Sequence, residues 1–145
     1  MKTSLLLRIA AVVTLIYCAG HTMGMPWTPV AGPQQDAVID AMKATRFEVM
    51  GNTRTYWDFY MGFGLSISGF LALQAVVLWQ LASLARRDAK QVRPIVAVFL
   101  ASVAINAVIV WNFFFPVPLV LAIAAAICLG LALVTARAGG SAQAE

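Results

Sequence analysis

Charge is what this sequence has least of. Asp, Glu, Lys and Arg make up 11% of its 145 residues against 61% hydrophobic residues, whereas soluble domains carry about a quarter charged residues. A soluble globular domain is therefore excluded. The sequence has a single His, His21, and two cysteines, Cys18 and Cys128. A lone His cannot complete a zinc site with carboxylates this scattered, and it gives little basis for haem ligation. No CxxC pair occurs, and the two cysteines fall at different depths of their apolar stretches, too far apart for a disulfide. Walker loops, nucleotide fingerprints and internal repeats are also missing, so nucleotide-driven chemistry and repeat-built transport lack their signatures. No metal, cofactor or catalytic residue is expected, and the balance of features leans away from an enzyme.

Four apolar stretches are present, at about 5–25, 57–85, 92–111 and 116–136. Each is near the roughly 20 residues that cross a hydrocarbon core as a helix. The net charge of +4 comes from cations that flank these spans. They form no basic face with interleaved aromatics, which argues against nucleic acid. Lys2 and Arg8 open the first span, Arg86, Arg87, Lys90 and Arg93 crowd the link between the second and third, and Arg137 follows the fourth. Short Lys- and Arg-rich loops stay in the cytoplasm. The expected arrangement is a multi-pass protein of the cell (inner) membrane with both termini cytoplasmic. Segment 26–56, where Lys43, Arg46 and Arg54 are balanced by Asp36, Asp40 and Glu48, then lies outside. A cleaved signal peptide is the alternative for the first 20 residues; Leu5–Leu7 lengthen the apolar run and favour an uncleaved helix.

Along the chain, Met25-Pro-Trp-Thr-Pro29 ends the first span and puts Trp27 at the membrane interface. Gly32-Pro33 followed by Asp36 is a helix start. Val38, Met42, Thr45 and Val49 recur at helical spacing, so a short external amphipathic helix is expected over about 34–50, closed by Gly51-Asn52. Thr55-x-x-Asp58 ahead of an apolar run is a capping box, and Arg54 stands four residues before Asp58 as a potential ion-pair partner. Gly62, Ser66 and Gly69 share one face of the second span, with Gly64 and Ser68 beside it, a small-residue spacing suited to close helix packing in lipid. Pro94 is placed in the first turn of the third span, and residues 139–145 read as a frayed tail.

With odd spans running outward and even spans inward, His21, Asp58, Tyr60 and Asn106 fall at similar depth in the outer half of the membrane. Arg54, Tyr56, Trp57 and Asn112 lie just above them. Polar groups at such depth either build a site or form a buried network. As a site, the layer would hold a lipid, quinone or other amphipathic small molecule, with His21 and Asp58 as its ionisable pair. As a network, the same groups cap helix ends and cross-link the bundle. The leading reading is thus a small membrane protein that binds an amphipathic molecule in the outer half of the bundle. The alternative is a structural or assembly subunit that binds another membrane protein or its own copies, and an enzyme working on a membrane-soluble substrate comes third.

Met50-Gly-Asn-Thr-Arg54 and Tyr56-Trp-Asp-Phe-Tyr-Met-Gly-Phe-Gly64 carry a resemblance to a group of bacterial four-helix inner-membrane proteins. That group shows Met-Gly, two residues, Arg, Ser or Thr, two aromatics, Asp-Phe, two residues and Gly-Phe at the head of its second helix, often with a His late in the first. The resemblance implies a four-helix fold and draws attention to Arg54, Asp58, Gly62, Gly64 and His21. It implies no activity, and the wider likeness to DoxX-like proteins is one of architecture. The expected fold is therefore all-α: a single membrane domain over residues 1–145, made of a four-transmembrane-helix bundle with the external helix between its first two members.

Overall fold

The computed structural model describes residues 2–24 and 32–138. The linker with Trp27 and the tail at 139–145 lie outside the described residues. The element order is α1 (Lys2–Gly24), α2 (Pro33–Ala44), β1 (Arg46–Val49), β2 (Asn52–Thr55), α3 (Tyr56–Leu84), α4 (Ala89–Phe113) and α5 (Pro116–Ala138). Among the described residues, α1, α3, α4 and α5 are the four helices long and apolar enough to cross a membrane, which fits a multi-pass membrane protein. They coincide with the four stretches expected from hydropathy. The chain divides into two compact units, residues 1–17 with 71–145, and residues 18–70.

The first unit packs mainly through small side chains. Leu7, Leu78, Val96 and Leu129 are its large fully buried residues, and Ala10, Ala82, Ala122, Ala125 and Ala132 fill the space between them. Lipid is as apolar as a leucine side chain, so helices in it associate by close van der Waals fit and hydrogen bonds, which alanine permits by letting backbones approach. Ser4 Oγ donates to the Ala82 carbonyl at 2.6 Å, and the Thr3 and Thr135 hydroxyls meet at 3.0 Å, so the start of α1 lies against the ends of α3 and α5. The Arg8 guanidinium stands 5.2 Å from the centre of the Trp79 ring. Asp88 caps α4 by accepting from the Lys90 amide at 2.8 Å. Because α4 begins at Ala89 and not near residue 92, Pro94 is one turn inside the helix. Its ring takes away the amide that would have bonded the Lys90 carbonyl.

The second unit departs from expectation between residues 45 and 55. In place of a helix running to about residue 50, α2 stops at Ala44 with Thr45 as its extended C-cap, and an antiparallel hairpin follows. Its register pairs Arg46 with Thr55, Phe47 with Arg54, Glu48 with Thr53 and Val49 with Asn52. The helical stripe thus ends early: Thr45 is a cap and Val49 lies in β1, while no residue of α2 is buried. The cause is local. Met50 and Gly51 both take positive φ, 50° and 75°, which makes the two-residue turn whose twist matches paired strands. The flanking Phe47, Val49, Thr53 and Thr55 are strand-forming types. Thr53 Oγ1 also donates across the ladder to Glu48 Oε1 at 2.6 Å.

Nothing lies within 4 Å of a Cβ added at Gly51, so only backbone conformation opposes a side chain there. Gly51→Ala is expected to destabilise the hairpin by about 1–2 kcal/mol, the cost of left-handed backbone for an L-residue. Faster amide exchange at Phe47 and Val49, with α4 and α5 unchanged, checks it.

Candidate functional site

The hairpin runs without a spacer into α3. Thr55 is both the last residue of β2 and the N-cap of the helix. Its amide donates to Asp58 Oδ2 at 2.8 Å, and the Asp58 amide donates to Thr55 Oγ1 at 3.1 Å. The reciprocal capping box is complete, satisfying two amides that would otherwise lack partners; a threonine cap of this kind contributes about 1 kcal/mol. The ion pair considered for Arg54 is not formed. Arg54 donates to the neighbouring Thr53 carbonyl at 2.9 Å.

Aromatic contacts hold the hairpin to the head of α3. Phe47 and its cross-strand partner Arg54 share one face of the ladder, since opposed residues project to the same side. The Phe47 ring lies 5.0 Å from Tyr56 and 5.4 Å from Phe59, and Phe59 continues to Phe63 at 6.0 Å. Trp57 stacks on Tyr60 at 5.2 Å, and the Lys43 ammonium of α2 sits 5.1 Å over the Trp57 ring. Each of these contacts falls in the range where ring quadrupoles favour offset, edge-on or cation-facing geometry.

On one side of this assembly is an open groove of about 310 Å³ lined by Arg54, Asp58, Phe59, Gly62, Phe63 and Ser66. Its helical residues recur every third or fourth position, one face of α3 over more than two turns. Charged groups stand at the hairpin end and apolar surface continues beyond them. Gly62, Ser66 and Gly69 are exposed, and no atom lies within 4 Å of a Cβ placed at Gly62 or Gly69. Among the described residues, this face therefore packs against nothing.

Packing inside the unit uses the neighbouring small residues instead. At about 100° per residue, Gly64 and Ser68 lie on roughly the opposite side of α3 from Gly62 and Ser66. His21 Nε2 is 3.0 Å from the Gly64 carbonyl, to which it donates in the tautomer protonated at that nitrogen. Thr22 Oγ1 lies 2.7 Å from the Cys18 carbonyl and 2.8 Å from Ser68 Oγ. Cys18 Sγ donates to the Ser68 carbonyl at 3.3 Å. His21 thus cross-links α1 to α3 and does not line the groove.

The residues expected in one polar layer have separate surroundings. Arg54 and Asp58 line the groove, Tyr56, Trp57 and Tyr60 belong to the aromatic cluster, and His21 belongs to the α1–α3 seam. Asn106 and Asn112 are in α4, in the first unit. Asn106 is half-buried, and Asn112 is exposed with its amide bonded to the Val108 carbonyl at 2.7 Å. Both cysteines are free thiols, and among the described residues no three of His, Cys, Asp and Glu group to hold a metal ion. Phe47, Phe59 and Phe63 were missed as site residues. Their i, i+4 spacing at 59 and 63 was available in the sequence, but Phe47 joins them only once the hairpin forms. No protein-family description matches the chain, and no curated protein or solved structure matches it either.

Proposed function

We propose that this multi-pass membrane protein holds an amphipathic small molecule of the lipid, isoprenoid or quinone class against the open face of α3. Its polar head would lie by Arg54 and Asp58, and its tail over Phe59, Gly62 and Phe63. The observation that carries this reading is the groove itself, which joins two charged side chains to an aromatic floor at a position where glycine leaves room. Amphipathic ligands need this combination: an apolar trough for area and a few polar groups for orientation. Relative to the sequence-based expectation, the site contracts to one helix face and the hairpin, and His21 serves as support.

Gly62→Leu fills the trough. Because its added Cβ meets nothing and leucine favours helix over glycine by about 1 kcal/mol, the fold is expected to survive. Mass spectrometry of what co-purifies with the full chain should show one amphipathic compound in the native protein, reduced about tenfold or more by Gly62→Leu and by Arg54→Gln. Equal amounts in all three proteins would sink the reading.

The uncovered small residues favour a second reading, in which the Gly62/Ser66/Gly69 face receives a helix from another copy or another membrane protein. Gly62→Leu would then change the mass of the purified assembly and leave the co-purifying compounds alone. Our proposed orientation places the protein in the cell (inner) membrane with both ends cytoplasmic and the hairpin outside. The cations at 86–93 support this, since such loops stay inside. Reporter fusions at Gln35 and Lys90 are expected on opposite sides, and the same side for both would refute it.

A further inference from the structure

The first unit carries a second polar feature, at the end where α1 and α4 begin and α3 finishes. Among the described residues, Lys2, Arg8, Arg86, Arg87, Lys90 and Arg93 gather there against one carboxylate, Asp88, which is already engaged as the cap of α4. Four of these cations, Lys2, Arg86, Arg87 and Lys90, are exposed, and topology accounts for them. Arg8 and Arg93 are different. Both are half-buried, each has a buried Nε–H with no hydrogen-bond partner, and neither forms an ion pair with any described residue.

An embedded guanidinium without a protein acceptor must be compensated from outside, because its charge is costly at membrane depth. Geometry narrows the source. Arg8 lies six residues into α1 and Arg93 four residues into α4, about 9 Å and 6 Å from the helix starts at 1.5 Å per residue. Side chains lean toward the N-terminus of their own helix, so both lean back toward this end. Trp79, 5.2 Å from the Arg8 guanidinium, is the type of residue that sits at headgroup level. The demand is for a compact anion at the interface with several acceptor oxygens and no cation of its own, and a phosphate diester of net negative charge meets it.

We infer that Arg8 and Arg93 mark this end of the bundle as a binding site for the phosphates of anionic phospholipids. The exposed cations raise the local concentration of such lipids, and each embedded fork holds a phosphate by charge-assisted hydrogen bonds from its outward nitrogens. This site is independent of the α3 groove, and neither stands or falls with the other.

Native mass spectrometry of the full chain, in detergent doped with phosphatidylglycerol or phosphatidylcholine, tests the inference. Phosphatidylglycerol is expected to be retained about tenfold more than phosphatidylcholine, Arg8→Gln and Arg93→Gln should each reduce that advantage, and the double variant should remove it. Arg8→Lys and Arg93→Lys keep the charge and the apolar stem, so they should fold even if the glutamine variants do not; loss of the planar fork should still weaken retention. Lys90→Gln should change it by no more than about fivefold. Equal retention of the two lipids, or variants indistinguishable from the native chain, would overturn the site. Displacement by millimolar inorganic phosphate would reassign it to a free anion and overturn the lipid.

Discussion

Leu78→Ala is expected to lower the stability of the first unit by about 2–3 kcal/mol, the lower part of the range for deleting a buried leucine side chain. Leu78 is fully buried and belongs to a core in which Leu7, Val96 and Leu129 are the other large fully buried residues. The same core is rich in alanine, with Ala82 one turn on and Ala125 and Ala132 from α5, whose methyl groups are too short to collapse into a cavity. In lipid the transfer component of the loss is small, because hydrocarbon replaces hydrocarbon, and what is lost is contact with the walls of the cavity. Reversible unfolding in mixed micelles would measure it. A loss under about 0.5 kcal/mol would mean that the unit is not close-packed at this level.

One turn along the same face, the opposite substitution is expected to do comparable harm. Ala82→Leu should cost about 1–3 kcal/mol by overpacking. Ala82 is fully buried, and its carbonyl receives the Ser4 hydroxyl at 2.6 Å, so the backbones of α1 and α3 are held close at that point. A leucine there must force its buried surroundings apart at the level where Ser4 meets α3. Ala82→Gly, which keeps the approach and gives up about 1 kcal/mol of helix propensity, should be the milder change. The same unfolding measurement ranks the two, and a leucine variant more stable than the glycine one would refute the close approach. Neither substitution touches the α3 groove, so co-purification should persist at whatever temperature the variants stay folded.

The four long helices were legible because hydropathy and length decide them almost alone. The capping box was legible for a related reason: Thr55 and Asp58 are three residues apart, and no distant partner is needed to form their bonds. The hairpin was not read. Val38, Met42, Thr45 and Val49 satisfy a helical period, and the competing signal was only a four-residue strand on each side of Met50-Gly51. Positive φ at a methionine is rare enough that the turn does not announce itself.

Which small-residue face of α3 is covered was hidden for another reason. Gly62/Ser66 and Gly64/Ser68 are the same residue types at the same spacing. The choice between them is made by Cys18, His21 and Thr22 of α1, whose bonds to α3 appear only when the two helices meet. Depth along a span can be counted from residue number, whereas rotation about its axis cannot. That is why residues assigned to one layer separated into a groove, an aromatic cluster and a seam.

The shared role of Thr55 makes the rotational phase of α3 a property of the hairpin. Strand register fixes where Phe47 and Arg54 project, and the helix begins on the next residue, so the face carrying Phe59, Gly62 and Ser66 is indexed to that register. A single residue inserted between Thr55 and Tyr56 would advance everything downstream by about 100° and carry the groove face away from its arginine. An insertion at the Met50–Gly51 turn leaves Arg54 in phase with the helix but changes the pairing that sets Phe47 opposite it. The junction is therefore a phase-setting element in which chain length matters more than side-chain identity.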